Sequence, residues 1–328
     1  MPLRLSRNII RPVLSTRAQT SHMSTTASVQ EPARSLWKDT TNTYERARAS
    51  GAAYKTDTKT ELYRDPQHGV EFVLRVAAAL KDKPKPSKES GEKKEKRNPF
   101  LPYEEELWVR HLSQTHTLLL NKFNVVAHHL ICVTREFEQQ TQPLAAADLE
   151  ATWAAMQAFP HGALAYFNCG EEAGASQPHK HTQIVPLPLA EGSACTGTPF
   201  EGVLRDAQAH AGAQEMQPFL VRSLPYECHA ADLSERPSGA KLEEVFNQLR
   251  RAFQSRDDTD GSQHTPYNVI LTAEHMMVVP RLRESCGPVS VNSMGFAGSL
   301  FVRSQAELDY IKEQGPMRIL SEVGLPWC

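Results

Sequence analysis

Residues 174–188 read GASQPHKHTQIVPLP, and the second part of this stretch has the alternation of an extended chain. Successive side chains of a strand point to opposite faces, so His179, His181 and Gln183 share one surface while Lys180, Thr182 and Ile184 take the other. Pro186 and Pro188 close the strand, because proline cannot donate to a sheet ladder. Just upstream, Gly170, Gly174 and Ser176 form a loop of small residues in which backbone N–H groups can converge on an anion. Two imidazoles and an amide beside such a loop suit a histidine nucleophile acting at phosphorus. The H-x-H spacing alone also fits two zinc ligands, though no third ligand lies at a recognisable distance, or core histidines bonded to carbonyls, or surface residues without a role.

Outward from this strand the chain alternates short apolar runs with amphipathic segments. Thr117 to Leu120, Leu130 to Thr134 and Leu164 to Phe167 read as strands, and Leu149, Trp153 and Met156 recur at helical spacing after Pro143. Beyond residue 215 the same grammar returns. Leu242, Val245, Leu249 and Phe253 mark a helix, and Tyr267 to Leu271 and Met276 to Val279 read as paired strands. Ser304 and Glu307 form a capping box that opens a last helix, which Gly315 and Pro316 stop. FNVVAHHLICVTR (123–135) and YNVILTAEHMMVVPR (267–281) share an aromatic-Asn-Val opening, a central histidine and a basic end, which suggests an internal duplication. Short strands with segregated helices predict an α+β fold on an antiparallel sheet, and neither a Walker A loop nor a G-x-G-x-x-G fingerprint is present.

Composition sets the boundaries of the problem. The formal net charge of −2 over 328 residues offers no global basic field for a nucleic acid or an acidic membrane. No apolar run approaches the roughly 18 residues that would span a bilayer. Six scattered cysteines without C-x-x-C pairs suit a reducing compartment. Residues 1–30 carry Arg4, Arg7, Arg11 and Arg17 and no acid, the composition of a mitochondrial transit peptide or of a disordered tail. Met23 offers a second start, so the expected location is cytoplasmic, or mitochondrial if residues 1–22 act as a leader. Residues 81–97, KDKPKPSKESGEKKEKR, read as a mobile charged loop, leaving a motif-bearing half at 98–190 and a second half at 215–328 within one domain from residue 31.

The motif run resembles the active-site segment of fungal diadenosine tetraphosphate phosphorylases, in the histidine triad and galactose-1-phosphate uridylyltransferase superfamily. RNPFLPYEEEL, HTLLLNKFNVV, ICVTREFEQQ, FNCG, YNVIL and VNSMGFAGSLFVRS resemble the family too, over about Leu62 to Pro326. The resemblance implies a histidine-triad-like antiparallel sheet flanked by helices, duplicated within one chain and bearing one site. It places His181 as the nucleophile, His179 as its support and Gln183 where many histidine triad hydrolases carry a third histidine. It also implies substrate contacts from Arg97, Asn98, Asn168, Gly174, Ala175, Ser176 and Gln177, and from Ser285, Cys286, Gly287 and Asn292 in the second half.

The activity so implied is reversible phosphorolysis of diadenosine tetraphosphate to ATP and ADP through an adenylylated histidine, with conversion of adenosine phosphosulfate and phosphate to ADP and sulfate as a side reaction. Mg2+ is expected on the nucleotide rather than in a protein cage, since no carboxylate cluster adjoins the motif. The expected partners are nucleotides and phosphate. Two other readings stay open on sequence: a hexose-1-phosphate uridylyltransferase, which usually has proline where Lys180 stands, and a non-catalytic dinucleotide-binding protein.

Overall fold

A computed structural model describes residues 26–77, 98–192, 196–233, 236–254 and 265–328. The expectations for residues 1–25 and 81–97, Arg97 among them, lie outside the described residues. In chain order the first half contains α1 (Thr26–Ser50), β1 (Tyr54–Lys55), β2 (Thr58–Arg64), β3 (Glu71–Ala77), β4 (Trp108–His111), β5 (His116–Leu120), β6 (Phe123–Asn124), β7 (Leu130–Thr134), α2 (Ala146–Met156), β8 (Ala163–Cys169) and β9 (His181–Pro186). The second half contains α3 (Glu201–Ala211), β10 (Pro218–Leu220), β11 (His229–Asp232), α4 (Gly239–Gln254), β12 (Tyr267–Leu271), β13 (His275–Pro280), β14 (Ser285–Cys286), β15 (Val289–Ser290), α5 (Ser293–Phe296), β16 (Ser299–Val302), α6 (Gln305–Gln314) and α7 (Pro316–Val323). Among the described residues no helix is long and apolar enough to cross a membrane.

Nine strands form one antiparallel sheet in the order β10-β11-β13-β12-β8-β9-β7-β5-β4. Its central strands are buried on both faces, which explains why LICVT, YNVIL and HMMVVP read as nearly continuous apolar runs. Helices α1, α2 and α4 cover one face. On α4, Leu242, Val245, Phe246, Leu249 and Phe253 recur at spacings of three and four, and all five are buried against that face. Gly239 opens α4 where a Cβ would lie 2.5 Å from the Ala146 carbonyl, so only glycine lets the two helix starts meet.

The opposite face is covered by two separate patches. A small sheet, β16-β3-β2, with α3, α5, α6 and α7 packs over the second half and the middle. Phe100, with Tyr103 and Trp108, packs on Leu119, Ile131 and Val133 at the β5 and β7 end. The cleft described below opens between these two covers.

The duplication is visible in the topology. β5, β7, α2, β8 and β9 have the same neighbours and connections as β10, β11, α4, β12 and β13, and the two sets meet at β8 and β12. This corrects the pairing suggested by sequence, which set residues 123–135 against 267–281. The fold matches β7 with β11 and β9 with β13, so the counterpart of the motif strand is HMMVVP, which has no H-x-H. Buried strands share apolar residues whatever their ancestry, so a short similarity selected the wrong pair.

A second correction concerns the C-terminus. Ser304 caps α6 by accepting from the Glu307 N–H, but the Glu307 carboxylate accepts from the N–H of Arg303 rather than of Ser304. Pro316, expected to stop the chain's last helix, is the first residue of α7, a position where its missing N–H costs nothing.

Candidate functional site

The alternation expected of the motif strand is present. Lys180 and Thr182 face α2, where Lys180 Nζ lies 2.6 Å from Asp148 Oδ2 and the Thr182 hydroxyl bonds Thr152 at 2.7 Å. Asp148 also accepts from His116 Nε2 and the Ala145 N–H, so this buried cluster pins the motif to the start of α2. The non-proline residue between the histidines is thus an anchor on the far face. The regular strand starts only at His181, and His179 precedes it in an isolated bridge to Gln139.

His181 is buried and fixed at three points. Its Nδ1–H donates to the His179 carbonyl at 2.7 Å. Its backbone N–H donates to Gln140 Oε1 at 2.8 Å, and Gln140 Nε2 donates back to the His181 carbonyl at 3.2 Å and to the Asn168 carbonyl at 2.9 Å. Nδ1 carries the proton, so Nε2 holds the lone pair. Burial, against the opposing hydrogen bond to His179, lowers the pKa from 6.5 to about 4, and the ring is neutral at physiological pH.

His179 cannot do the same work. Its Nδ1 accepts from the Asn98 amide at 3.1 Å, and its Nε2–H points at the Thr134 hydroxyl and the Glu136 carbonyl, 2.9 and 3.1 Å away. Both ring nitrogens are occupied, and the contribution of His179 to His181 is a carbonyl. Asn98 touches His179 and caps the Phe100 N–H. Phe100 lies 5.1 Å from the His181 ring.

Gln183 sits at the end of a relay that fixes its orientation. Asn121 Nδ2 donates to His129 Nδ1 at 3.0 Å, His129 Nε2–H donates to Gln183 Oε1 at 3.0 Å, and the Tyr166 hydroxyl donates to the same oxygen at 2.9 Å. Burial lowers the His129 pKa to about 4 as well, which keeps this ring neutral. With its oxygen saturated, Gln183 presents its NH2 to the cleft.

The same device appears twice more. Asn168 Oδ1 accepts from Asn268 Nδ2, the Ser293 N–H and the Ser293 hydroxyl. Asn292 Oδ1 accepts from the Met294 N–H. Three amides with engaged oxygens therefore line one cavity of about 380 Å³, together with Gly174 and Ser176. Their N–H donors suit an anion.

The glycine-rich loop is a narrower cradle than the sequence suggests. The N–H groups of Gly174 and Ala175 already donate to the carbonyls of Glu171 and Gly170, so Ser176 and Gln177 supply the amides that remain. Gly174 has φ +84, and a Cβ there would lie 2.8 Å from that of Asn292, which explains the glycine where the halves touch. Ser285, Cys286 and Gly287 do not line this cavity. Cys286 contacts the Tyr310 hydroxyl, Gly287 packs on the same ring, and the neighbouring Glu284 and Ser290 face the cleft instead.

A second lobe of about 210 Å³ adjoins the first through Asn121, Phe123, Ser176 and Gln183. It is mainly apolar, with Phe100, Tyr103, Leu119 and Ile131 in its walls, and His181 and Gln177 line it. The nucleophile candidate thus stands in the wall of the apolar chamber, and Gln183, two residues on along the same strand, lines both chambers.

Comparison with known families gives two matches that together span most of the chain: the Ap4A phosphorylase N-terminal domain over residues 26–206 and the ATP adenylyltransferase C-terminal domain over residues 222–326. The chain belongs to the Ap4A phosphorylase family. Family members are nucleotidyltransferases, and Ap4A abbreviates diadenosine tetraphosphate. Diadenosine 5',5'''-P1,P4-tetraphosphate phosphorylase 2 of Saccharomyces cerevisiae is 28% identical over 305 residues, covering 85% of this chain and 91% of the yeast protein. Protein APA1 of the same yeast is 25% identical over 301 residues, with 86% and 92% covered. The crystal structure of the yeast Ap4A phosphorylase Apa2 in complex with AMP superposes with a TM-score of 0.72 at 24% identity, covering 89% of this chain and 97% of that one. The complex of Apa2 with Ap4A gives 0.70 at the same identity, with the same shares covered. These superpositions establish the shared fold.

The motif residues were legible in the sequence. Gln140, His129, Tyr166 and Asn121 are not marked by the motif, although Gln140 and Asn121 lie inside segments that resemble the family. Their partners are 8 to 54 residues away along the chain, and no local periodicity marks them. His129 carried one signal, as the central histidine of the suspected repeat.

Proposed function

We propose that this chain cleaves Ap4A by phosphorolysis, with AMP carried between acceptors on Nε2 of His181. The observation that carries this reading is the 2.7 Å bond from His181 Nδ1–H to the His179 carbonyl, which leaves a neutral imidazole with its lone pair free in the wall of the apolar lobe, two residues from Gln183, which lines both lobes. The apolar lobe suits an adenosine, and the polar lobe, ringed by amide donors, suits the phosphates.

In the first step the Nε2 lone pair attacks the α-phosphorus, the bond from that phosphorus to the bridging oxygen breaks, and ATP leaves with the electron pair. The ring, still holding its Nδ1 proton, becomes positively charged, and the His179 carbonyl stabilises it. The NH2 of Gln183 and the Ser176 and Gln177 amides donate to the non-bridging oxygens as charge shifts onto them. In the second step an oxygen of inorganic phosphate attacks the same phosphorus, ADP departs, and the lone pair returns to Nε2. Gln183 has no proton to exchange with water, whereas phosphate brings its own negative charge, so the site favours phosphate as acceptor. Adenosine phosphosulfate fits the same first step, with sulfate as the leaving group.

Mg2+ belongs, in this reading, to the polyphosphate. Among the described residues no three His, Cys, Asp or Glu side chains converge as a protein-held ion requires, and the ion would supply charge neutralisation on the substrate.

The test is intact-mass and peptide mass spectrometry after mixing the protein with Ap4A in the absence of phosphate. The expected result is one AMP on His181, discharged as ADP when phosphate is added. Consumption of Ap4A by a protein that stays unmodified would reject the covalent route, and a protein that binds Ap4A without consuming it would be a binding protein only.

A further inference from the structure

Asn168, the turn before Gly174 and the start of α5 share a support that lies outside the cleft, and all three lead back to one arginine. Arg281, the residue after β13, is buried, and every hydrogen bond it makes goes to an oxygen of a neutral group. Its Nε donates to the Val323 carbonyl of α7, one terminal nitrogen donates to Asn268 Oδ1 at 2.5 Å, and the other donates to the carbonyls of Arg283 and Val291. The guanidinium also lies 5.0 Å from the Phe296 ring of α5. Asn268, buried on β12, passes the contact on. Its Nδ2 donates to Asn168 Oδ1 and to the Ala173 carbonyl, both at 2.9 Å. Neither Arg281 nor Asn268 lines either lobe of the cleft.

An asparagine amide fills the same space in either of two orientations, and only its neighbours decide which end is the donor. Arginine has donors and no acceptor. The end of Asn268 that faces Arg281 is therefore its oxygen, and the other end is an NH2. That NH2 requires an oxygen on Asn168, which leaves the NH2 of Asn168 for the cavity. The Ser293 N–H, which also meets Asn168 Oδ1, agrees with this direction. A buried charge with neutral partners is often less stabilising than apolar packing of the same volume, so stability alone is a poor reason for an arginine here. What the guanidinium supplies is direction. We propose that Arg281 and Asn268 are positioning residues that aim the Asn168 NH2 and the loop at Gly174 toward the donor's phosphates, and that this relay is how the second half, which carries no H-x-H, completes a single active site. The proposal rests on the reading of His181 as the adenylylated residue.

The experiment uses the full chain and follows ATP release from Ap4A in a single turnover without phosphate. The rate constant is taken per adenylylated site, so the fraction of folded protein does not enter. The variants are Arg281→Met, which has no donor, Arg281→Lys, which keeps a group that donates and cannot accept, and Asn268→Asp, which still accepts from Arg281 but cannot donate to Asn168. The expected result is that Arg281→Met and Asn268→Asp lower the rate constant about a hundredfold, as the loss of one aimed donor does. Arg281→Lys should melt at a lower temperature than the parent, because one ammonium cannot reach all of these oxygens, yet keep its rate constant within about threefold. Where Arg281→Met yields no folded protein, Asn268→Asp decides, since it leaves every hydrogen bond of Arg281 in place. A purely structural Arg281 predicts that the rate constant per site stays at the parent value in all three variants. That result, or a loss in Arg281→Lys as deep as in Arg281→Met, would overturn the relay while leaving the chemistry at His181 intact. A parent protein that releases ATP with no adduct on His181 would overturn the His181 reading and this one with it.

Discussion

Acidification from pH 7 to pH 5 should leave the adenylylation step almost unchanged. Burial lowers the His181 pKa from 6.5 to about 4, so about 90% of the ring remains neutral at pH 5, against about 3% of an unshifted imidazole, a difference of about thirtyfold in reactive form. The assay is rapid mixing with Ap4A and no phosphate, with ATP release read in a single turnover. Ap4A has no terminal phosphate to titrate in this range, and omitting orthophosphate removes the other titrating reactant. An acid limb with its midpoint near 6.5 would refute the argument, because it would mean a solvated ring. The expected limb near 4 belongs to His181 and His129 jointly, since both are shifted to the same region. Stability follows a different course. Both groups bind fewer protons folded than unfolded between about pH 4 and 6.5, so their contribution is complete above 6.5 and is lost as the pH falls through that window. At pH 5 the loss is about 2 kcal/mol for each ring. The melting temperature should therefore fall over a range in which the single-turnover rate holds.

His181→Ala should form no adduct while still binding Ap4A, because the imidazole supplies a covalent bond and few ground-state contacts; calorimetry with mass spectrometry reads both, and retained turnover would sink the assignment. Gln183→His should raise the ratio of AMP to ADP among the products at fixed phosphate, since an imidazole can take a proton from water where the amide cannot. An unchanged ratio, with the adduct still formed, would mean that exclusion of water sets the choice of acceptor. Gln140→Leu should cost about 3 kcal/mol in urea unfolding, because it strips the His181 N–H and two buried carbonyls of a partner, and it should lower kcat more than it raises KM. A wild-type unfolding midpoint would show that Gln140 is no clamp.

Local residue patterns suffice to place the main elements and the chemistry of one strand. Period-two alternation put His181 and Gln183 on a common face and Lys180 and Thr182 on the other, a consequence of backbone geometry that needs no partner. Apolar runs located β5, β7, β8, β12 and β13, and helical spacing located α2 and α4, because burial leaves its mark residue by residue. What these residues can do depends on long-range packing. Which nitrogen of His181 is free depends on a carbonyl two residues away and an amide on Gln140, and which end of Gln183 faces the cleft depends on His129, just before β7, and on Tyr166 of β8. The cleft wall that carries Arg75 and Arg303 comes from β3 and the chain just beyond β16, more than 200 residues apart in sequence and side by side in space. The true repeat is likewise a fact of strand order. Hydrogen-bond direction and long-range neighbours leave no periodic trace in a chain, so only the folded molecule fixes them.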